Sequence, residues 1–175
     1  MAKRLKRGLV QVYTGDGKGK TTAAIGLALR AAGAGLKVYI CQFIKGTEYS
    51  ENRALKKIKN IRVEQCGRGC FIKGKPGKKD VKAAERGLAK ARACVLSGKY
   101  DVVILDEANV ALKFGLVGVD DIMDMVKTKP AHVEIVLTGR CCPPKLLEAA
   151  DLVTEMREIK HPYRKGIKAR KGMEY

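Results

Sequence analysis

Short runs of β-branched and apolar residues alternate with longer stretches of helix-forming residues along the chain. This alternation is typical of an α/β domain with a mostly parallel central sheet. The apolar runs predict strands at 8–14, 36–44, 61–65, 100–106 and 132–139, with a last strand at the end of PPKLLEAADLVTEM. The other stretches predict helices at 20–32 before Gly33, at 50–59 capped by Ser50, at 81–97 capped by Asp80, at 119–128, and at the start of PPKLLEAADLVTEM.

The composition agrees with such a fold. Apolar residues make up 46% of the 175 residues, aromatic residues only 5%, and there is no Trp, so the core must rest on aliphatic side chains. A chain of this length is expected to form one domain, residues 1–175. Neither a membrane-spanning apolar run nor a signal peptide is evident, and we therefore expect a cytoplasmic protein that does not enter a membrane.

Positive charge is high and unevenly distributed. The net charge is +18, and basic residues cluster in an N-terminal arm (1–7), in 53–82 and in a C-terminal tail (160–175). Such clusters are compatible with a solvated surface, an anionic ligand, an acidic protein partner or nucleic acid. Charge by itself does not choose among these interpretations.

The six cysteines give little sign of a metal site. Cys66 and Cys70 together with the pair at 141–142 match the usual spacing of zinc ligands poorly. Cys41 and Cys94 lie inside apolar patterns, which predicts small core residues. We expect reduced thiols.

The stretch VYTGDGKGKTTAAIG places a glycine-rich loop between the first strand and the first helix. It is either a plain turn or a phosphate-binding P-loop, in which backbone amides and the helix dipole bind an anion. Lys20 would then reach the outer phosphates, and the Thr21 hydroxyl would coordinate Mg²⁺. The loop is one residue shorter than the usual spacing. The predicted nucleotide-binding residues are Gly15, Asp16, Gly17, Lys18, Gly19, Lys20, Thr21 and Thr22.

The stretch VVILDE is the natural second half of such a site. A buried apolar strand delivers Asp106 and Glu107 to the sheet edge where parallel strands end, and either carboxylate can hold Mg²⁺ or its waters. We therefore expect these acids to meet the glycine loop. Arg140 ends another core strand, where it suits either phosphate contact or an ordinary surface position, and Lys18 has the same two interpretations.

Several motifs together resemble the ATP:corrinoid adenosyltransferases of cobalamin biosynthesis. The resemblance covers residue 8 to the end of the chain and rests on YTGDGKGKTTAAIGLALRAAG, QFIKG, LDEANVALKFG, VLTGRCCPPKLLEAADLVTEM and KHPYRKGIKARKGMEY. It implies a P-loop NTPase-like (RecA-like) three-layer fold. It also implies transfer of the 5′-deoxyadenosyl group of ATP to the cobalt of cob(I)alamin or another reduced corrinoid, with release of triphosphate.

The resemblance also implies roles for individual residues. Lys20, Thr21 and Glu107 would be catalytic, with Thr21 and Glu107 as Mg²⁺ ligands and Asp106 in support. Members of the family often carry a GxGFTW-like segment that contacts the corrin ring. Here the corresponding stretch is GRGCFIKGKPG, which has no Trp and leaves Gly67 and Phe71 as the corrinoid-binding candidates.

The resemblance further implies partners. An acidic flavodoxin-type reductase would use the basic surface, and we expect a homodimer. The alternative function is a P-loop ATPase that acts with nucleic acid, which the charge favours. However, no aromatic platform accompanies the basic loops and no nucleic-acid motif is recognisable, so we expect no nucleic-acid partner.

Overall fold

The computed structural model describes residues 4–69 and 74–175, in which one sheet of six strands forms the centre. The strands are β1 Val10–Thr14, β2 Val38–Gln42, β3 Ile61–Gln65, β4 Val102–Asp106, β5 Glu134–Thr138 and β6 Leu152–Glu155. Their order is β3-β2-β4-β5-β1-β6, and every neighbouring pair is parallel. The sheet was predicted to be mostly parallel, and it is parallel throughout.

Helices cover both faces of this sheet. They are α1 Lys20–Gly33, α2 Ser50–Leu55, α3 Lys78–Leu96, α4 Ala108–Lys113, α5 Val119–Thr128 and α6 Pro144–Ala149. Ala24, Ala28 and Ala31 of α1 pack on one face with Leu55 of α2, and buried residues of α3 to α6 form a second core on the other face. The result is a three-layer arrangement, as predicted.

Strand β4 shows why the sheet needs both layers. Val102 and Ile104 belong to the core beneath α1, whereas Val103 and Leu105 belong to the core beneath α3 and α5. All four side chains are at most 3% exposed, in keeping with a central parallel strand that is buried on both faces.

Several predicted helix boundaries were wrong by a few residues. Helix α1 includes Gly33 and ends before Gly35, whose φ of 83° lies in the left-handed region. Ser50 is the first residue of α2 rather than its cap. Helix α3 begins at Lys78, and Asp80 lies inside its first turn, where its carboxylate accepts a hydrogen bond from the amide of Gly77. The helix thus begins three residues earlier than predicted, and Asp80 stabilises its start from the third helical position rather than as its cap.

Two further elements were not predicted. Helix α4 follows β4 directly, and a short 3₁₀ turn spans Pro162–Lys165 in the basic tail. Helix α2 is also shorter than predicted, since it ends at Leu55. Within the described part of the chain, no helix combines the length and the apolar character needed to cross a membrane.

Candidate nucleotide-binding site

The glycine loop connects β1 to α1 in a conformation that requires glycine. The φ angles of Gly15 and Gly19 are 91° and 122°, in the region where other residues are strained. The amide of Gly17 donates a 2.7 Å hydrogen bond to the carbonyl of Met156, just after β6. A Cβ atom on Gly15 or Gly17 would lie 2.4 or 2.7 Å from that same carbonyl oxygen. The chain beyond β6 therefore supports the loop at a distance that only glycine permits.

Lys20, the first residue of α1, folds back over this loop. Its Nζ donates hydrogen bonds of 2.7 Å to the carbonyl of Gly15 and 2.6 Å to that of Gly17. The residue is only 7% exposed, and burial lowers the pKa of Lys20 from its usual value, although Glu107 opposes that shift. A cation is thereby held at the amino end of α1, where the helix dipole is also positive.

The carboxylate of Asp106 joins the loop to three strands. Its Oδ1 accepts hydrogen bonds of 2.8 Å from the hydroxyls of Thr21 and Thr138, and its Oδ2 accepts one of 3.2 Å from the amide of Gln42. Lys45 Nζ lies 3.3 Å from the same Oδ2. The side chain is almost fully buried, and its contacts tie α1, β5 and the end of β2 to the end of β4. The predicted meeting of the glycine loop and the acidic strand end is confirmed by the bond to Thr21.

Glu107 is held in an unusual conformation beside this network. Its φ of 60° is in the left-handed region, and its amide donates a 3.0 Å hydrogen bond to the Thr138 hydroxyl. Among the described residues its carboxylate has no hydrogen-bond or ion-pair partner. Burial and the nearby charge of Asp106 raise the pKa of Glu107. An unpaired, desolvated carboxylate of this kind favours a cation close to it.

Lys45 supplies a second cation that the sequence analysis did not single out. Its Nζ lies 3.3 Å from Asp106 and 3.4 Å from Glu51, and it stands 4.9 Å from the ring centre of Tyr49. Burial disfavours the charged form of Lys45, but the two carboxylates outweigh this effect and raise the pKa of Lys45. The residue therefore carries a firmly held positive charge at the end of β2.

Arg140 reaches the glycine loop from the end of β5. Its Nη2 donates a 3.0 Å hydrogen bond to the carbonyl of Asp16, and its Nε lies 3.8 Å from the Asp16 carboxylate. The preceding residue, Gly139, is fixed by a 3.0 Å hydrogen bond from the buried amide of Asn109 to its carbonyl. Helix α4, which begins next to Glu107, thus also orients the chain that carries Arg140.

The C-terminal tail folds over the same region. Lys18 Nζ lies 2.7 Å from the carboxylate of Glu174, which also pairs with Arg170. These two cations, Arg170 first, lower the pKa of Glu174 to about 2. The Ser50 hydroxyl donates a 3.1 Å hydrogen bond to the carbonyl oxygen of Tyr175. The last residues of the chain are therefore part of the site.

Together these elements enclose a cavity of about 740 Å³. It is lined by Gly17, Lys18, Gly19, Lys20, Thr21, Thr22, Ile25, Lys45, Ser50, Glu51, Glu107, Arg140, His161, Gly172, Met173, Glu174 and Tyr175. Two of the predicted nucleotide-binding residues, Gly15 and Asp16, do not line this cavity. Their carbonyl groups accept the hydrogen bonds from Lys20 and Arg140 described above. The volume and the cluster of cations suit a ligand with several negative charges.

The predicted corrinoid contacts belong to the segment that follows β3. Phe71 and Cys70 lie outside the described residues. Gly67 does not line the cavity but packs on the chain after β2, since a Cβ there would lie 2.2 Å from the carbonyl oxygen of Ile44. Cys66 contacts Cys41, with 3.1 Å between their sulfur atoms, and no metal-binding cluster of His, Cys, Asp or Glu occurs in the described part of the chain.

Sequence reasoning missed four kinds of contribution to this site. The side chains of Gln42 and Lys45 follow from the rule that placed Asp106, because β2 ends at the same edge as β4. Thr138, at the end of β5, follows from it as well. No feature of the sequence predicted that Glu174 would contact the glycine loop, because the tail shows no periodicity and its contacts are distant in sequence.

Comparison with known proteins agrees with this geometry. A family model described as ATP:corrinoid adenosyltransferase BtuR/CobO/CobP matches residues 6–175. A corrinoid adenosyltransferase of Pseudomonas aeruginosa is 36% identical over 98% of this chain and 86% of its own length. The relatives in Escherichia coli strain K12 and Salmonella typhimurium carry the same description. They are 34% and 32% identical, over 97% of this chain and 87% of their own lengths.

Similarity to a solved structure concerns the fold alone. The flagellar accessory protein FlaH from Methanocaldococcus jannaschii superimposes with a TM-score of 0.60 at 15% identity, over 86% of this chain and 72% of that one. The predicted P-loop NTPase-like, RecA-like fold is confirmed. The glycine loop, the acidic strand end and the near-complete match of the family model lead to one conclusion: the chain belongs to the ATP:corrinoid adenosyltransferase family.

Proposed function

We propose that this adenosyltransferase binds the triphosphate of ATP in the 740 Å³ cavity and releases it intact as the 5′-deoxyadenosyl group moves to cobalt(I). The observation that carries the proposal is the convergence of Lys20, Thr21 and the unpaired Glu107 on one cavity. The loop amides from Lys18 to Thr22, which line the cavity, and the cations of Lys18 and Arg140 would complete the phosphate contacts.

The oxygen-donor set fits Mg²⁺. This ion prefers hard oxygen ligands and is bound in proteins by one or two carboxylates together with substrate phosphates. Thr21 and Glu107 would be its protein ligands, and the unpaired carboxylate of Glu107 supports this assignment. Asp106 would act in support, because its oxygens are already engaged with Thr21, Thr138, Gln42 and Lys45. The ion would supply neutralisation of charge on the phosphate chain.

The protein needs no nucleophile of its own, since reduced cobalt attacks C5′ of the nucleotide. Its tasks are to hold C5′ in line with cobalt and to stabilise the charge that accumulates on the departing triphosphate. Lys20 is suited to the second task, because it is already held at the amino end of α1. Arg140 approaches the same loop from β5 and would share that charge.

The corrinoid would bind beside the segment that follows β3. Gly67 packs on the backbone of Ile44 and so fixes the start of that segment next to Lys45. Phe71 would contribute an apolar contact to the corrin ring. An apolar face at this point would exclude water from the readily oxidised cobalt(I).

Charge and exposure support two macromolecular contacts. The basic clusters at 53–82 and in the tail would dock an acidic flavodoxin-type reductase. A homodimer would use the edge strand β6, where Leu152 and Val153 are 41% and 45% exposed. The protein would act in the cytoplasm. Residues 1–175 would act as one domain, because the six described strands share one sheet.

The products of the reaction test the proposed function. The protein is mixed with Mg–ATP and cob(I)alamin kept reduced by a chemical reductant. We expect the spectrum of an adenosylated corrinoid and one inorganic triphosphate per corrinoid converted. Formation of ADP and phosphate, stimulated by nucleic acid and without alkylation of the corrinoid, would instead identify the alternative ATPase.

Replacement of Lys20 tests the stabilisation of the leaving group. We expect Lys20→Ala to lower kcat by about 10²–10³-fold, because a positioned cation at developing charge has an effect of this size. Circular dichroism and a urea transition check that the variant folds, and Lys127→Ala on the exposed surface of α5 serves as the matched control. Near-normal turnover of the Lys20 variant would remove this residue from the mechanism.

Replacement of Glu107 tests the proposed metal site. We expect Glu107→Gln to raise the Mg²⁺ concentration for half-maximal activity by about tenfold or more, while the urea midpoint does not fall, because the carboxylate has no partner to lose among the described residues. The rate is measured against Mg²⁺ concentration at fixed ATP, with the exposed Glu85→Gln as control. An unchanged Mg²⁺ dependence contradicts the assignment.

Electrostatic docking of the reductase is tested by salt. Binding of a reduced flavodoxin is measured by calorimetry between low and high ionic strength. We expect the affinity to fall steadily as salt is added, since exposed charges are screened within about 10 Å at 0.1 M. An affinity that does not respond to salt would mean that the basic clusters have no part in docking.

A further inference from the structure

A second concave site lies at the edge of the sheet opposite the nucleotide cavity. It has a volume of about 480 Å³ and is bounded by residues at the amino ends of β2, β3 and β4 together with Arg4. The strands are parallel, so their amino ends share one edge, whereas Thr21 and Asp106 lie at the carboxyl edge. Strand β4 has five residues and separates the two edges by roughly 17 Å.

The walls of this second cavity are strongly basic. Five cationic side chains line it: Arg4, Lys37, Lys59, Arg62 and Lys99. Of these, only Arg62 has an ion-pair partner among the described residues, the carboxylate of Glu64. Four exposed positive charges therefore line one concave volume with no ion-pair partner in the described part of the chain, and a multivalent anion bound there would relieve their mutual repulsion.

The buried acid at this edge of the sheet, Asp101, does not neutralise them. Asp101 is 6% exposed, and its carboxylate accepts a 2.8 Å hydrogen bond from the backbone amide of Lys37. Its own amide donates to the carbonyl of Lys37, which ties the start of β4 to the start of β2. Asp101 thus has a structural role at this edge and leaves the ammonium of Lys37 unpaired.

Two uncharged residues, Tyr100 and Asn60, also line this second cavity. The Tyr100 ring lines the cavity and packs against the buried ring of Tyr39, with 5.4 Å between ring centres. The amide side chain of Asn60 also lines it and has no hydrogen-bond partner among the described residues. The cavity therefore presents a fixed aromatic ring, a free amide and a set of converging cations.

We propose that this cavity binds the oligophosphate group of a small anion, either a nucleotide or free triphosphate. Several cations converging on a concave volume match a compact, multiply charged phosphate chain better than a flat macromolecular surface. The reaction at the carboxyl edge does not explain these charges, because the sheet separates them from it. The proposal is therefore independent of the roles assigned to the nucleotide cavity.

The proposal is tested by nuclear magnetic resonance on the full chain, which reports both sites separately. Sodium triphosphate and ATP are titrated in parallel while the amide signals of Asn60, Lys99 and Tyr100 are followed, with Gly19 and Thr21 reporting on the other cavity. We expect saturable shifts in the first group with both ligands. Tighter binding of ATP at this site identifies a nucleotide stacked on Tyr100, and equal binding identifies the phosphate chain alone.

A double variant links the shifts to the cavity. Lys37→Ala/Lys99→Ala removes two exposed, unpaired cations, and we expect it to weaken triphosphate binding at this site at least tenfold while the signals of Gly19 and Thr21 respond as before. The matched control Lys82→Ala/Lys127→Ala removes the same charge from α3 and α5. A dispersed spectrum verifies folding of each variant.

Three results would overturn the proposal. The first is the absence of saturable shifts at Asn60, Lys99 and Tyr100 with either ligand. The second is equal weakening in the control variant, which would mean that only overall charge matters. The third is a response to single-stranded DNA or polyglutamate but not to triphosphate, which would identify a surface for macromolecules. Failure at this site leaves the response of Gly19 and Thr21 intact, so the two sites are judged separately.

Discussion

The buried carboxylate of Asp106 is the interaction on which the rest of the site depends. A carboxylate this deeply buried is costly unless its lone pairs are engaged, and here hydroxyls, an amide and an ammonium engage both oxygens. Because its partners come from α1, β5 and the end of β2, satisfying one charge also aligns the ends of these elements. The glycine loop is thereby connected to the sheet through Thr21 as well as through its own backbone.

The same alignment explains the strained backbone next to it. Glu107 has a left-handed conformation, and a non-glycine residue held there costs of order 1–3 kcal/mol. The hydrogen bond from its amide to Thr138, itself bonded to Asp106, helps to hold the turn. The strain aims an unpaired carboxylate at the cavity rather than into a helix surface. The strained backbone at Glu107 thus lowers the stability of the fold, and it positions the carboxylate of this residue at the cavity.

The sequence predicted those parts of the site that follow from local pattern and sheet topology. Six strands, their parallel arrangement and the meeting of Thr21 with Asp106 all followed from apolar runs and from the rule that parallel strands end at one edge. The prediction that Ser50 caps α2 was wrong, because the Ser50 hydroxyl donates its hydrogen bond to the distant Tyr175 instead of capping its own helix. The tail's contacts could not be predicted, since they depend on packing between residues more than one hundred positions apart.

The chemistry of the family explains why positioning matters more here than any reactive side chain. In the proposed function the cobalt of the corrinoid substrate is the nucleophile, so no cysteine thiol of the protein is required for the reaction. Cys41 and Cys66 contact each other beneath α3. Under the same proposal, the task of the protein is to keep cations and oxygen donors in fixed positions relative to a phosphate chain. Such preorganisation requires a rigid support. The network around Asp106 provides that support, because moving any one partner leaves a buried charge incompletely bonded.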